Sequence, residues 1–307
     1  MAEKKKRILP PVTLAESYQL CRDRVRQRLG NWIWTTGNLD RETRNHLYAL
    51  TALTVRTEKL CDIHLARAAR EEMLEDLRED FRNNFMEEES TDQFPALLDT
   101  MNQYPIPQQY FHDIIAAADM CIRIDRFTNF DQWLQMGCRL GGGTLLSAVP
   151  ILGVEKPGYE EAAIKLGQAI FLTCLLNDIA DEIQKLEYFL PSEDLVTFEV
   201  DLRRHNPARP DPAMLALLDC MVERIERLYH EGGCLVDHLT LDGRRVLTTV
   251  VAVSWSLLLK IKRDPKSVLM ASAEVTASER WRLRLRHILG LEDAGDVLKA
   301  STGHGHS

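Results

Sequence analysis

The chain has 307 residues and a formal charge of −8, with 45% hydrophobic and 27% charged residues. This balance excludes a globally disordered chain, and the negative charge argues against a nucleic-acid binder working through a broad basic face. The length allows one large domain or two ordinary ones, at roughly 100–200 residues each.

Met1 to Pro11 carries Lys4, Lys5 and Lys6 with no apolar stretch behind them. It reads as a flexible N-terminus (1–11) and not as a signal peptide. Leu14, Tyr18, Cys21 and Val25 recur at helical spacing and mark a first helix. Asp40 is suited to cap a second helix that carries Leu47, Leu50, Leu53 and Leu60 on one side. The charged stretch Leu65 to Glu89 predicts a long exposed helix whose acid–base alternation is a solvated face. Breaks at Pro105–Pro107, Arg126–Asn129, Gly153–Gly158, Pro191, Asn206–Pro212, Gly232-Gly233, Asp242-Gly243 and Asp264-Pro265 divide the remainder, giving about ten helices in all. Strand signals are almost absent. The most apolar window, Val246 to Leu259, is too short for the ~20 residues of a bilayer span and reads as a buried core helix.

Residues 12–290 are therefore expected to form one all-α domain around a central cavity. A disordered tail (291–307), with His304 and His306 between glycines, is expected to follow. The seven cysteines contain no CxxC pair, which fits reduced thiols in a cytoplasmic protein.

The strongest local feature is Asn177-Asp178-Ile179-Ala180-Asp181-Glu182, directly after the apolar run Ala169 to Leu176. On a helix, Asp178 and Glu182 lie on one face, one turn apart. Such acids repel unless a cation sits between them, and carboxylate, water and phosphate oxygen are the ligands Mg²⁺ prefers. The competing reading is an acidic helix end facing solvent. Glu58 and Asp62 have the same spacing on an earlier predicted helix. Two such pairs facing each other would make a site for several Mg²⁺ ions and one diphosphate.

Leu166 to Glu182, continuing to Tyr188-Phe-Leu-Pro191, resembles the second acidic motif of the squalene and phytoene synthases. Ser17 to Asp62, and Asp119 through Arg126-Phe-Thr-Asn-Phe130 to Gly153, are similar to the same family, so the resemblance covers about residues 15–195. It implies a single-domain isoprenoid synthase fold. It also implies that two acidic motifs hold Mg²⁺ (Glu58, Asp62, Asp178 and Glu182, with Asp181 beside them) and that the metal binds the diphosphate of an allylic substrate. Ionisation then yields an allylic cation in an apolar cavity, where divalent charge offsets that of the leaving group and an aromatic wall excludes water. Arg56, Lys59, Arg22 and Lys185 are candidates for the diphosphate. Trp32, Trp34, Phe171, Cys174, Asn177 and Phe189 are candidates for the cavity. For each basic or aromatic residue the alternatives are a surface charge or ordinary core packing.

The sequence departs from the family pattern. Lys59 stands where an acid is usual, and Phe171, Cys174 and Asn177 replace the usual Gln, Asn and Arg. Leu186-Glu187 replaces Gly-Arg, Leu29-Gly-Asn-Trp-Ile33 replaces a Ser-rich flap, and the Arg expected before the first acid falls on Val55. Fewer cationic and polar groups suit one diphosphate and a flat neutral partner better than two diphosphates. The chain therefore resembles a branch of the family that transfers one prenyl group, typically dimethylallyl, to an aromatic acceptor such as a carbazole. The alternatives are head-to-head condensation of two prenyl diphosphates and a non-catalytic family member.

Overall fold

The computed structural model describes residues 12–29, 33–85, 94–179, 188–204 and 206–270, with 272, 274, 276 and 279. The predicted N-terminus (1–11), the tail (291–307), Trp32, Asp181, Glu182 and Lys185 lie outside the described residues. The helices are α1 (Leu14–Leu29), α2 (Arg41–Leu60), α3 (Arg67–Phe85), α4 (Phe94–Gln103), α5 (Gln108–Arg123), α6 (Phe130–Gly137), α7 (Gly143–Leu152) and α8 (Glu160–Asn177). They continue with α9 (Ser192–Thr197), α10 (Pro212–Gly232), α11 (Leu241–Arg263) and the short α12 (Ser267–Met270). Among the described residues there is no strand, only an isolated bridge between Val154 and Leu239.

α2 begins where the sequence places its cap. Asp40 Oδ1 accepts from the backbone N–H groups of Glu42 (2.8 Å) and Thr43 (2.9 Å), satisfying two donors of the first turn. α8 buries Ala162, Leu166, Gly167, Ala169, Leu172, Thr173 and Leu176. A helix covered on several sides belongs at the centre of its domain, and α8 packs against α6, α7, α10 and α11. The π-helical turn Cys138–Gly142, which joins α6 to α7, crosses α8 at backbone contact. A Cβ on Gly141 would lie 2.2 Å from Gly167 O, and one on Gly167 would lie 2.4 Å from Gly141 O. Only glycine permits that crossing.

Two expectations need correction. Asp242-Gly243 is not a break: Thr240 caps α11, and Gly243 lies in its first turn, where a Cβ would meet Leu152 O at 2.1 Å. Gly243 is there for close packing against α7. α3 is exposed along its charged face, yet it buries Leu74, Leu77 and Phe81 and so is half a core helix. The apolar window Val246–Leu259 does lie in the core, within α11, where Trp255 meets Tyr229 of α10 edge-on at 5.1 Å. Among the described residues no helix is long and apolar enough to cross a membrane.

Candidate active site

α2 and α8 bring their C-terminal ends to one place. Glu58 sits in the last turn of α2, and Asp178 is the C-cap of α8, its N–H bonded to the carbonyls of Cys174 and Leu175. A helix C-terminus carries partial negative charge, so two such ends with two carboxylates concentrate negative potential. Between them lies Arg28, from the last turn of α1. Its Nε is 3.7 Å from Glu58 Oε2 and its Nη2 is 3.3 Å from Asp178 Oδ2. Burial works against the Arg28 charge, but Glu58 and Asp178 more than offset it and hold the guanidinium protonated. Burial pushes Glu58 up to about 7, with Arg28 pulling it down and Asp178 adding to the rise. Glu58 Oε2 is shut off from solvent and accepts no hydrogen bond among the described residues.

The Glu58/Asp62 pair does not lie along one continuous helix face. α2 ends at Leu60, and Asp62 stands exposed in the loop beyond it, where its Oδ1 accepts from the N–H of His64 at 3.0 Å. Such a local side-chain bond competes with another helical turn. α8 stops at Asn177 with Asp178 as its C-cap, and Glu182, the expected partner of Asp178, lies outside the described residues.

Two cavities meet at this point. The outer one, of about 880 Å³, is lined by Arg24, Arg28, Arg56, Glu58, Lys59, Asp62, His64 and Asp178, and by the rings of Phe127, Phe171 and Phe189. The inner one, of about 260 Å³, lies between α1, α2, α7, α8 and α11. Glu58, Leu140, Phe171 and Cys174 line both and form the neck. The inner chamber is apolar in effect as well as in composition. Thr36 Oγ1 and Thr51 Oγ1 donate to Ile33 O (2.9 Å) and Leu47 O (2.7 Å), the Tyr48 hydroxyl meets Thr36 Oγ1 at 3.1 Å, and Thr54 Oγ1 meets Thr144 Oγ1 at 2.7 Å. Hydroxyls already bonded within the wall leave little for a polar guest. Burial, then Asp178 and Glu58, push Cys174 up to about 12, so it stays a neutral thiol.

The segment at Phe189 is pinned from several sides. Tyr188 OH donates to Cys121 O at 2.6 Å, Trp133 Nε1 donates to Phe189 O, and Phe127 N donates to Tyr188 O at 3.0 Å. Phe189 stacks on Phe127 with centroids 6.4 Å apart. The expected cavity roles of Trp34 and Asn177, and the expected diphosphate role of Arg22, need correction, because none of the three lines either cavity. Asn177 is buried on the core side of α8, and Arg22 and Trp34 each keep a nitrogen buried within the protein. Arg56 reaches the outer cavity but is held by Asp80 at 2.7 Å and lies over the Phe94 ring.

A family model described as squalene/phytoene synthase matches residues 31–287. The chain belongs to the squalene/phytoene synthase family. Among its curated relatives, a phytoene synthase of Arthrospira platensis is 26% identical over 282 residues, covering 86% of this chain and 90% of that protein. A phytoene synthase of Mycobacterium tuberculosis is 27% identical over 259 residues, covering 83% and 85%. In fold, the chain matches a ligand-bound dehydrosqualene synthase with a TM-score of 0.79 at 19% identity, covering 91% of this chain and 97% of the other. A squalene synthase from Alicyclobacillus acidocaldarius matches with 0.70 at 20%, covering 83% and 96%. The all-α isoprenoid synthase fold expected from the sequence is the one observed.

Membership gives the two carboxylates of this squalene/phytoene synthase family chain a context. Glu58 and Asp178 are oxygen donors of the kind magnesium takes, which uses one or two protein carboxylates and completes its shell with water and phosphate. The orphaned Oε2 of Glu58 fits that role. Among the described residues no three His, Cys, Asp or Glu side chains cluster as a ready-made metal cage. Arg28 is the site residue that sequence reasoning missed. Its one signal was its place in the run Arg22, Arg24, Arg26, Arg28, which does not tell which member reaches α2 and α8.

Proposed function

We propose that this protein ionises an allylic prenyl diphosphate and condenses the resulting cation with a second prenyl diphosphate, as its phytoene- and squalene-synthase relatives are named for doing. The observation that carries the reading is the junction of a charged outer cavity, with Asp178 in its wall, and an apolar chamber behind a neck of Glu58, Phe171 and Cys174. An amphiphile with a diphosphate head and a hydrocarbon tail matches that polarity.

Glu58 and Asp178 would hold Mg²⁺, which when bound supplies positive charge to offset that developing on the leaving diphosphate. Lys59, exposed at the rim of the outer cavity, and Arg28 are placed to pair with diphosphate oxygens. The tail enters the inner chamber, where the hydroxyls of Thr36, Tyr48, Thr51, Thr54 and Thr144 are held in the wall by hydrogen bonds to one another and to backbone carbonyls. Phe171 at the neck presents an aromatic ring where the cationic carbon forms. Cys174, kept as a neutral thiol, is not the more nucleophilic thiolate.

One observation favours a second reading. Phe171 occupies the neck where the family resemblance puts a polar residue, Arg56 is engaged by Asp80, and Lys59 replaces an acid. These changes favour a flat neutral acceptor, such as a carbazole, receiving a single prenyl group from an allylic diphosphate. None of the relatives named above is a transferase to an aromatic acceptor, so condensation ranks first. Diphosphate release with and without Mg²⁺ tests both. Allylic donors of five to twenty carbons are offered singly and then with an aromatic panel, and products are read by mass. A 30- or 40-carbon product from a donor alone supports condensation; release that requires an aromatic acceptor, with one prenyl unit added to it, overturns it in favour of the second reading. Release that ignores Mg²⁺ refutes both.

A further inference from the structure

The position of Arg28 carries a consequence for how a divalent cation enters the site. A carboxylate pair at two helix C-termini is a strong cation trap, and here one side chain of the protein itself already spans it. The contacts are loose: 3.7 Å to Glu58 is beyond hydrogen-bonding range, 3.3 Å to Asp178 is long, and the Arg28 side chain is 55% exposed. Neither contact is the bidentate fork that makes arginine–carboxylate pairs strong. A guanidinium held this way offsets part of the charge of the two acids without being committed to either.

We infer that Arg28 is an internal counter-cation that holds the α2 and α8 carboxylates together before a divalent ion arrives and competes with that ion for them. The inference rests on the reading of Glu58 and Asp178 as metal-holding residues. Displaced, Arg28 stays tethered to the last turn of α1 and lines the outer cavity, where a diphosphate would lie. Diphosphate that engages Arg28 removes the competitor, so metal and diphosphate bind with positive coupling, and each raises the other's affinity by the same factor. Arg28 is thus a positioning residue for the carboxylates and a link between the two ligands.

The test is Mn²⁺ binding followed by the EPR signal of the free ion, with and without inorganic pyrophosphate, and needs no turnover. Two weak, partly exposed ion pairs predict that Arg28→Gln binds Mn²⁺ alone roughly three- to tenfold more tightly than the parent protein. The enhancement of Mn²⁺ binding by pyrophosphate should shrink in the variant. Arg28→Lys, which reaches one carboxylate at a time, should fall between the two. Unchanged or weaker Mn²⁺ affinity in both variants, with melting temperature and helical circular dichroism intact, overturns the inference and leaves the metal reading standing. Asp178→Asn separates the other case: if it binds Mn²⁺ as the parent does, the carboxylate pair is not the metal site and the inference falls with it.

Discussion

Glu58 is an acid held in a place that disfavours its charge, and replacing it by glutamine should expose that cost. Burial raises it from 4.5 to about 7, so the folded chain holds this proton more tightly than the unfolded chain does. Stability is then unaffected below pH 4.5 and falls as pH rises from 4.5 to 7, the range over which the unfolded chain has released the proton and the folded chain has not. At about 1.36 kcal/mol per pH unit the full shift corresponds to roughly 3 kcal/mol. The Glu58 side chain is still 26% exposed, and water screening reduces the figure to about 1–2 kcal/mol. Glu58→Gln removes the ionisation, so its melting temperature should gain on that of the parent as pH rises. At about 2 °C per kcal/mol for a chain of this size, the gap should widen by about 2–4 °C between pH 5 and pH 8. The assay is thermal unfolding of both proteins at several pH values without divalent cations. The widening is the tested quantity, since any pH-independent packing change from the amide cancels. A gap that stays constant or narrows with pH would refute the argument that Glu58 is kept at the expense of stability. Mg²⁺-dependent diphosphate release should be lost in the same variant.

Asp178→Asn should abolish Mg²⁺-dependent diphosphate release while leaving the melting temperature within about 2 °C of the parent, because Asp178 is half exposed and its backbone makes the cap; retained turnover would remove it from the site. Gly167→Val should cost at least 1–3 kcal/mol in urea unfolding, since even a Cβ would sit 2.4 Å from a backbone oxygen that cannot step aside. Arg224 grips Asp194 through two hydrogen bonds of 2.8 and 3.0 Å and lies over the Phe130 ring, so Arg224→Met should cost about 3–5 kcal/mol by leaving a buried carboxylate unpaired; a loss under 1 kcal/mol would show that water compensates Asp194. Mg²⁺ with inorganic pyrophosphate at 100 times their dissociation constant should stabilise the parent by about 2.7 kcal/mol, and not Asp178→Asn, in thermal unfolding.

Much of the fold was legible because helices announce themselves locally. Asp40 carries its cap geometry in its own side chain, and the spacing of Leu47, Leu50, Leu53 and Leu60 fixes which side of α2 is buried wherever that helix packs. The apolar run from Ala169 to Leu176 marked a central helix, and α8 is one. Misreadings arose where a residue type has two uses. Gly243 looked like a turn and is a packing contact; Trp34 and Asn177 looked like cavity wall and face elsewhere. A glycine does not declare what approaches it, and an aromatic at helical spacing does not declare which of two faces is hollow.

The sequence by itself determined the helices, their caps and buried faces, and the family whose fold they build, because each depends on residues within a few turns of one another or on motifs kept in order. It also supplied Glu58 and Asp178 as candidates. Tertiary structure alone decided that these two acids, 120 positions apart in the numbering, share one cation, and that Arg28 is that cation. Those outcomes depend on where α1, α2 and α8 end relative to one another, which is set by the backbone contact of Gly141 with Gly167 and by the packing around α8. Ion pairs reach only a few ångströms, so the chemistry of this site exists only once the helices have been brought together.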